Sequence, residues 1–240
     1  MLNQLDPLIF NISMYSTLVV IACKFTIAAF IGRRDYLKPK AEKRHRFTFM
    51  SAACLLLLCL GISRIIYFYF DFFLTKFDPN LLWIKPNVYY WQTATFIAGL
   101  AAAFLLFVLE RDIYRFKTRL IPTGAVIVVA IVQLFYPINT QADFNFVSSI
   151  GIVGSLAMLL AIFTFIYLAI KSTGHLRRVC IALMIGVFLY AFAGLSISEN
   201  ILGPLNAMIP GARSFIIVAN PFIKIIAFII IGWGAVNFEL

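Results

Sequence analysis

Charge is what this sequence has least of: 12% of its 240 residues are Asp, Glu, Lys or Arg, while 62% are hydrophobic and the mean hydropathy is +0.96. Soluble domains carry about 25% charged residues, so a water-soluble fold is excluded and the chain reads as a membrane protein. Acidic residues are the scarcer sign, ten against twenty basic ones. No carboxylate pair falls inside an apolar run, which removes the dyad that hydrolysis within a bilayer would need. A nucleophile elbow, an HExxH helix and a glycine-rich phosphate loop are missing too, so a non-enzyme without a bound cofactor is expected. Cys23, Cys54, Cys59 and Cys180 show no CxxC spacing, and His45 and His175 stand in separate loops without acidic neighbours at ligand spacing. Neither a disulfide framework nor a metal site is therefore expected. The basic residues sit in short loops, not in one continuous stripe, so the net charge of +10 points to orientation and to anionic membrane lipids instead of nucleic acid.

Apolar length is what the chain has in abundance. A helix crosses about 30 Å of hydrocarbon with roughly 20 residues. By that ruler residues 1–240 form one polytopic membrane domain with spans at about 8–31, 47–73, 87–109, 120–136, 146–170, 179–198 and 213–236. The first is a retained span, since MLNQLDP lacks the positive n-region of a signal peptide. Between the first two lies Gly32–Arg46, GRRDYLKPKAEKRHR, and short loops rich in Lys and Arg stay cytoplasmic. Fourteen of the twenty basic residues fall on that side when the spans alternate from it. The expected fold class is thus an all-α integral membrane protein with seven transmembrane helices, the N-terminus outside and the C-terminus cytoplasmic, multi-pass in the cell membrane. No loop has room for a folded soluble domain. Any output would come from a cytoplasmic signalling partner or from a C-terminal domain missing after Leu240.

Two connecting regions carry expectations of their own. Tyr67, Phe68, Tyr69, Phe70, Phe72 and Phe73 close the second span as an aromatic cluster of the interfacial kind. Residues 199–211 read as a turn between the sixth and seventh spans, with Gly203-Pro204 and Pro210-Gly211 as breakers.

Ionisable groups within spans are the default functional suspects, because their burial is costly unless they are paired or hydrated. Lys24 lies about two turns from the cytoplasmic end of the first span, within reach of the headgroups by snorkelling. Arg64, Tyr67 and Asp71 share one helix face. The rise of about 10 Å from Arg64 to Asp71 argues against a direct pair, so Glu199, at the outer end of the sixth span, is the expected partner of Arg64. Lys224 sits near the middle of the seventh span, with Asn220 four residues before it and Pro221 between them, where a kink is expected. Gln92 adds a polar side chain from the third span. Small-residue stripes (Ser148, Gly151, Gly154 and Ser155; Gly186, Gly194 and Ser198) read as helix-packing faces. The candidate ligand-binding set is Arg64, Tyr67, Gln92, Glu199, Asn220 and Lys224.

Lys224 in the seventh of seven helices, with Asn220 one turn before it, resembles the microbial rhodopsins, in which that lysine carries retinal as a Schiff base. The resemblance is confined to topology and to Asn220-x-x-x-Lys224. Asn220 stands where the family has an aspartate, and the third span offers Gln92, Thr93 and Thr95 but no carboxylate before Glu110. A buried protonated Schiff base needs such a counterion.

The expectation for function is a receptor-like or sensor module that binds a small anionic or amphipathic ligand from the outer side. A small secondary transporter using the buried lysine, a retinal-type photoreceptor and a structural or lipid-handling bundle are the alternatives.

Overall fold

Apolar chain in a bilayer must satisfy its backbone internally, which leaves the helix as the local solution for runs of this kind. The computed structural model describes residues 7–37, 47–197 and 199–238, and every regular element among them is helical. In chain order these are α1 (Pro7–Leu37), α2 (Phe49–Tyr69), α3 (Asn87–Asp112), α4 (Ile121–Phe135), α5 (Gln141–Lys171), α6 (Gly174–Ser196), α7 (Glu199–Met208) and α8 (Ala212–Asn237). A π-helical turn, Phe70–Leu74, extends α2, and a short 3₁₀ turn, Pro79–Leu81, precedes α3. Among the described residues six helices are long and apolar enough to cross a membrane: α1, α2 with its π-turn, α3, α5, α6 and α8. The chain is an α-helical membrane protein. The fourth expected span is the 15-residue α4, which at about 1.5 Å per residue measures roughly 22 Å and is shorter than the hydrocarbon core.

Several boundaries differ from the hydropathy reading, for local reasons. The cationic stretch Gly32–Arg46 does not begin as a loop: α1 carries on through Arg33, Arg34 and Asp35 to Leu37, and residues 38–46 lie outside the described residues. The Asp35 carboxylate accepts hydrogen bonds from Thr48 Oγ1 (2.9 Å) and Ser51 Oγ (2.6 Å), which ties the end of α1 to the capped start of α2. α5 begins at Gln141, five residues before Phe146, because Thr140 and Asp143 form a capping box. Residues 199–211 are not a simple turn either: Glu199–Met208 forms α7, seated by the buried Leu202. Pro204 falls inside that helix.

The elements close into a ring in sequence order. α1 packs on α2, α2 on α3, α3 on α4, α4 on α5, α5 on α6 and α6 on α8, which returns to α1. α7 lies against α8 and the end of α6. The interior is filled most continuously at one end. Where α2 starts and α8 finishes, Phe49, Phe165 and Phe238 form a three-ring plug, with centroids 4.6 to 6.1 Å apart. Leu57, Leu109 and Leu183 continue that core. Small residues let the backbones close in here: a Cβ on Gly186 would lie 2.7 Å from Ile231 Cγ1 and 3.2 Å from Ala227 O, so α6 and α8 are in near-backbone contact.

Candidate functional site

The other half of the ring encloses a cavity of about 460 Å³. Its walls come from six helices, α5 contributing Phe144 and Ser148. Lys24 is on α1; Arg64 and Tyr67 are on α2, with Phe70 and Asp71 on the π-turn that extends it; Trp91 is on α3, Tyr190 on α6 and Lys224 on α8. Phe77, Leu82, Gln141 and Arg213 line it at the helix ends, so the cavity reaches the face where α3, α5 and α8 begin. π-turns are uncommon and concentrate at functional sites. This one turns Phe70 and Asp71 into the cavity.

The floor is cationic. Lys24 is 3% exposed; its Nζ donates to Leu60 O at 2.9 Å and stands 5.1 Å from the Phe228 ring centroid. Leu60 is one turn before Arg64 and Phe228 one turn after Lys224, and the two helices run in opposite senses. Lys24 therefore sits about 5 Å deeper than the other two cations. The snorkelling expected of Lys24 does not occur. α1 runs on to Leu37, some 20 Å further along its axis, and the side chain points into the bundle instead. Its ammonium is compensated by a carbonyl dipole and a ring face, both neutral partners.

Arg64 pairs directly with Asp71, Nη1 to Oδ2 at 3.3 Å, which corrects the expectation that the axial rise keeps these two apart. Helical rise measures backbone, whereas the long arginine stem closes most of that gap. Asp71 leans back toward the start of its helix, as helical side chains do. The Glu199 side chain lies outside the described residues. Lys224 has a different standing: its amine faces the cavity, and it makes no hydrogen bond or ion pair among the described residues.

No family model, curated protein or solved structure matches this chain.

The Tyr67 and Ser63 hydroxyls near the floor are already committed. Thr95 Oγ1 donates to Trp91 O at 2.8 Å, so the 2.5 Å contact between Tyr67 and Thr95 has the phenol as donor, leaving Tyr67 only lone pairs to offer the cavity. Ser63 Oγ donates to Ala94 O at 2.8 Å. Two of the candidate residues are spent on packing and do not line the cavity. Gln92 Nε2 donates to Gln133 O (3.1 Å) and Tyr136 O (2.9 Å), clamping α3 to the end of α4. Asn220 Nδ2 donates to Ala193 O and to Ser196 Oγ (3.3 Å), clamping α8 to α6. Arg64, Tyr67 and Lys224 are brought together; Lys24, Asp71 and Trp91 join them. Asp71 was within sight of the sequence as the third member of the Arg64 face, and Lys24 as a third cation.

The aromatic cluster at the end of α2 is divided. Tyr69 and Phe73 are exposed, as an interfacial belt requires, while Phe70 and Phe72 are buried and Phe72 packs edge-on against Phe10 and Phe77. The small-residue stripes divide as well. Gly151 abuts Gln133 and Gly186 abuts α8, but Ser148 and Gly194 line the cavity, and a Cβ on Gly194 would meet nothing within 4 Å.

Proposed function

We propose that this chain is a receptor-like or sensor module of the cell membrane that binds a small anionic ligand from the outer side. In this reading α4 counts as a seventh, thinner crossing, the N-terminus is outside and the basic stretches are cytoplasmic, in keeping with their Lys and Arg content. The observation that supports it is the charge on the cavity floor, where Lys24, Arg64 and Lys224 face the single carboxylate of Asp71. In a low-dielectric interior such an excess is unfavourable until an anion answers it. The volume suits a small organic ligand. The Phe49–Phe165–Phe238 plug favours binding over passage, because a transporter needs a route to the second face. Occupancy would be felt on α8, where Pro221 interrupts the hydrogen-bond ladder one turn before Lys224. From there movement would pass to the cytoplasmic loops and to whatever partner or further domain reads them.

The test pairs binding with flux in purified, reconstituted protein. Millimolar benzoate, phenyl sulfate or phenyl phosphate is expected to raise the thermal midpoint of the wild type, as ligand linkage requires, and to raise that of Lys224→Gln by less. Proteoliposomes loaded with radiolabelled benzoate and phenyl phosphate are expected to retain them. Saturable release that disappears in Lys224→Gln would replace the receptor with a transporter.

A further inference from the structure

Resting on that reading, the geometry points to a narrower ligand class: we infer that the cavity takes a phosphate monoester, with its doubly charged head between Lys24 and Lys224 and its organic body along the aromatic wall above. Charge balance comes first. Arg64 and Asp71 neutralise one another across 3.3 Å, so the positive charge an anion would meet on the floor comes from the two lysines. Donor geometry comes second. The planar guanidinium of Arg64, whose geometry fits carboxylates best, already gives Nη1 to an internal carboxylate. The two lysines are compact point charges with rotatable protons: Lys24 has two beyond its bond to Leu60 O, and Lys224 has three. Such donors suit a tetrahedral oxyanion, which presents acceptor oxygens in several directions. The body comes third. Tyr190, Trp91, Phe70 and Phe144 line the space above the floor, and ring faces favour a flat or apolar group. A cavity of 460 Å³ holds one compact body and is too small for a two-chain lipid.

Phenyl phosphate and phenyl sulfate separate these elements, since they share a shape and differ by one charge at about pH 8, above the second phosphate pKa. The experiment is calorimetric titration of the full chain in nanodiscs of zwitterionic lipid, with inorganic phosphate as the body-less control. Phenyl phosphate is expected to bind at least tenfold tighter than phenyl sulfate and at least tenfold tighter than inorganic phosphate. Lys224→Gln, which breaks no hydrogen bond among the described residues, is expected to weaken phenyl phosphate about tenfold and to bring the two esters within about twofold of each other. Gly194→Leu fills the cavity from a helix position with open space beside it and is expected to abolish binding while the thermal midpoint holds or rises. Equal affinity for the two esters, with both lost in Lys224→Gln, would overturn the phosphate assignment and leave the anion-binding reading standing. Binding of neither ester, or binding indifferent to both substitutions, would overturn the two together.

Discussion

Arg64 and Asp71 carry opposite charges into the upper half of the bundle, where each side chain keeps just under a fifth of its surface exposed. Removing one partner leaves the other charge unanswered, so Asp71→Asn is expected to cost about 1–3 kcal/mol, less than a fully buried pair would, and to lower the thermal midpoint by several degrees. The same change raises the positive charge of the cavity, and phenyl phosphate affinity is expected to rise as stability falls. A fall in both would show that Asp71 shapes the site instead of discharging it. Gln92 gives the opposite signature. Gln92→Leu forfeits two hydrogen bonds to α4 and is expected to cost about 1–2 kcal/mol with anion affinity unchanged. These residues also differ in how much of their role the sequence shows. The Lys224 position was legible because an amine in the middle of an apolar run is anomalous on its own. The Arg64–Asp71 pair was half legible: the shared face follows from helical period, but the contact depends on side-chain reach and direction, which axial rise omits. Gln92 and Asn220 looked like lining residues because composition does not say whether a buried amide finds a carbonyl on a neighbouring helix.

At the scale of elements, the corner between α3 and α4 is held by a buried carboxylate. Glu110 is fully buried and accepts from Thr118 Oγ1, from Thr123 Oγ1 and from Thr123 N (3.1 Å). The loop it spans has positive φ at Arg115, Phe116, Arg119 and Leu120, between 50° and 59°, conformations that cost non-glycine residues of order 1 kcal/mol each. Three bonds to one carboxylate offset that strain and satisfy the first turn of α4. Glu110→Gln puts an amide donor where an acceptor is needed and is expected to cost about 2 kcal/mol. Hydrogen exchange should rise in residues 113–124 and stay unchanged in α6 and α8. Helix starts were the most legible element-scale feature left unread, since Thr140-x-x-Asp143 is a capping box in plain sequence and would have lengthened α5. The 3₁₀ turn and α7 were not legible, because proline and glycine there look like breakers until Leu202 is seen to be buried.

For the whole molecule, the consequence of a ring filled at one end and hollow at the other depends on which end faces out. Basic residues cluster at the filled end: Arg33 and Arg34 close α1, Arg115, Lys117 and Arg119 lie in the α3–α4 loop, and Arg177 and Arg178 open α6. Retention of such loops on the cytoplasmic side would turn the hollow end outward. The partition holds only if α4 crosses, since six crossings would place the loops after α3 and after α5 on opposite faces. At about 22 Å, α4 could cross by local thinning of the bilayer, and it packs between α3 and α5 in the ring. In a background with the four native cysteines replaced by serine or alanine, single cysteines at Asn80 and Asn139 are expected to react with a membrane-impermeant maleimide in intact cells. Cysteines at Lys117 and His175 are expected to react only after permeabilisation. Labelling of Asn80 and His175 from the same side would take α4 out of the bilayer and put the mouth of the cavity and the α5–α6 loop on one face. An outward-facing anion receptor would then lose its geometry, whatever its lysines bind.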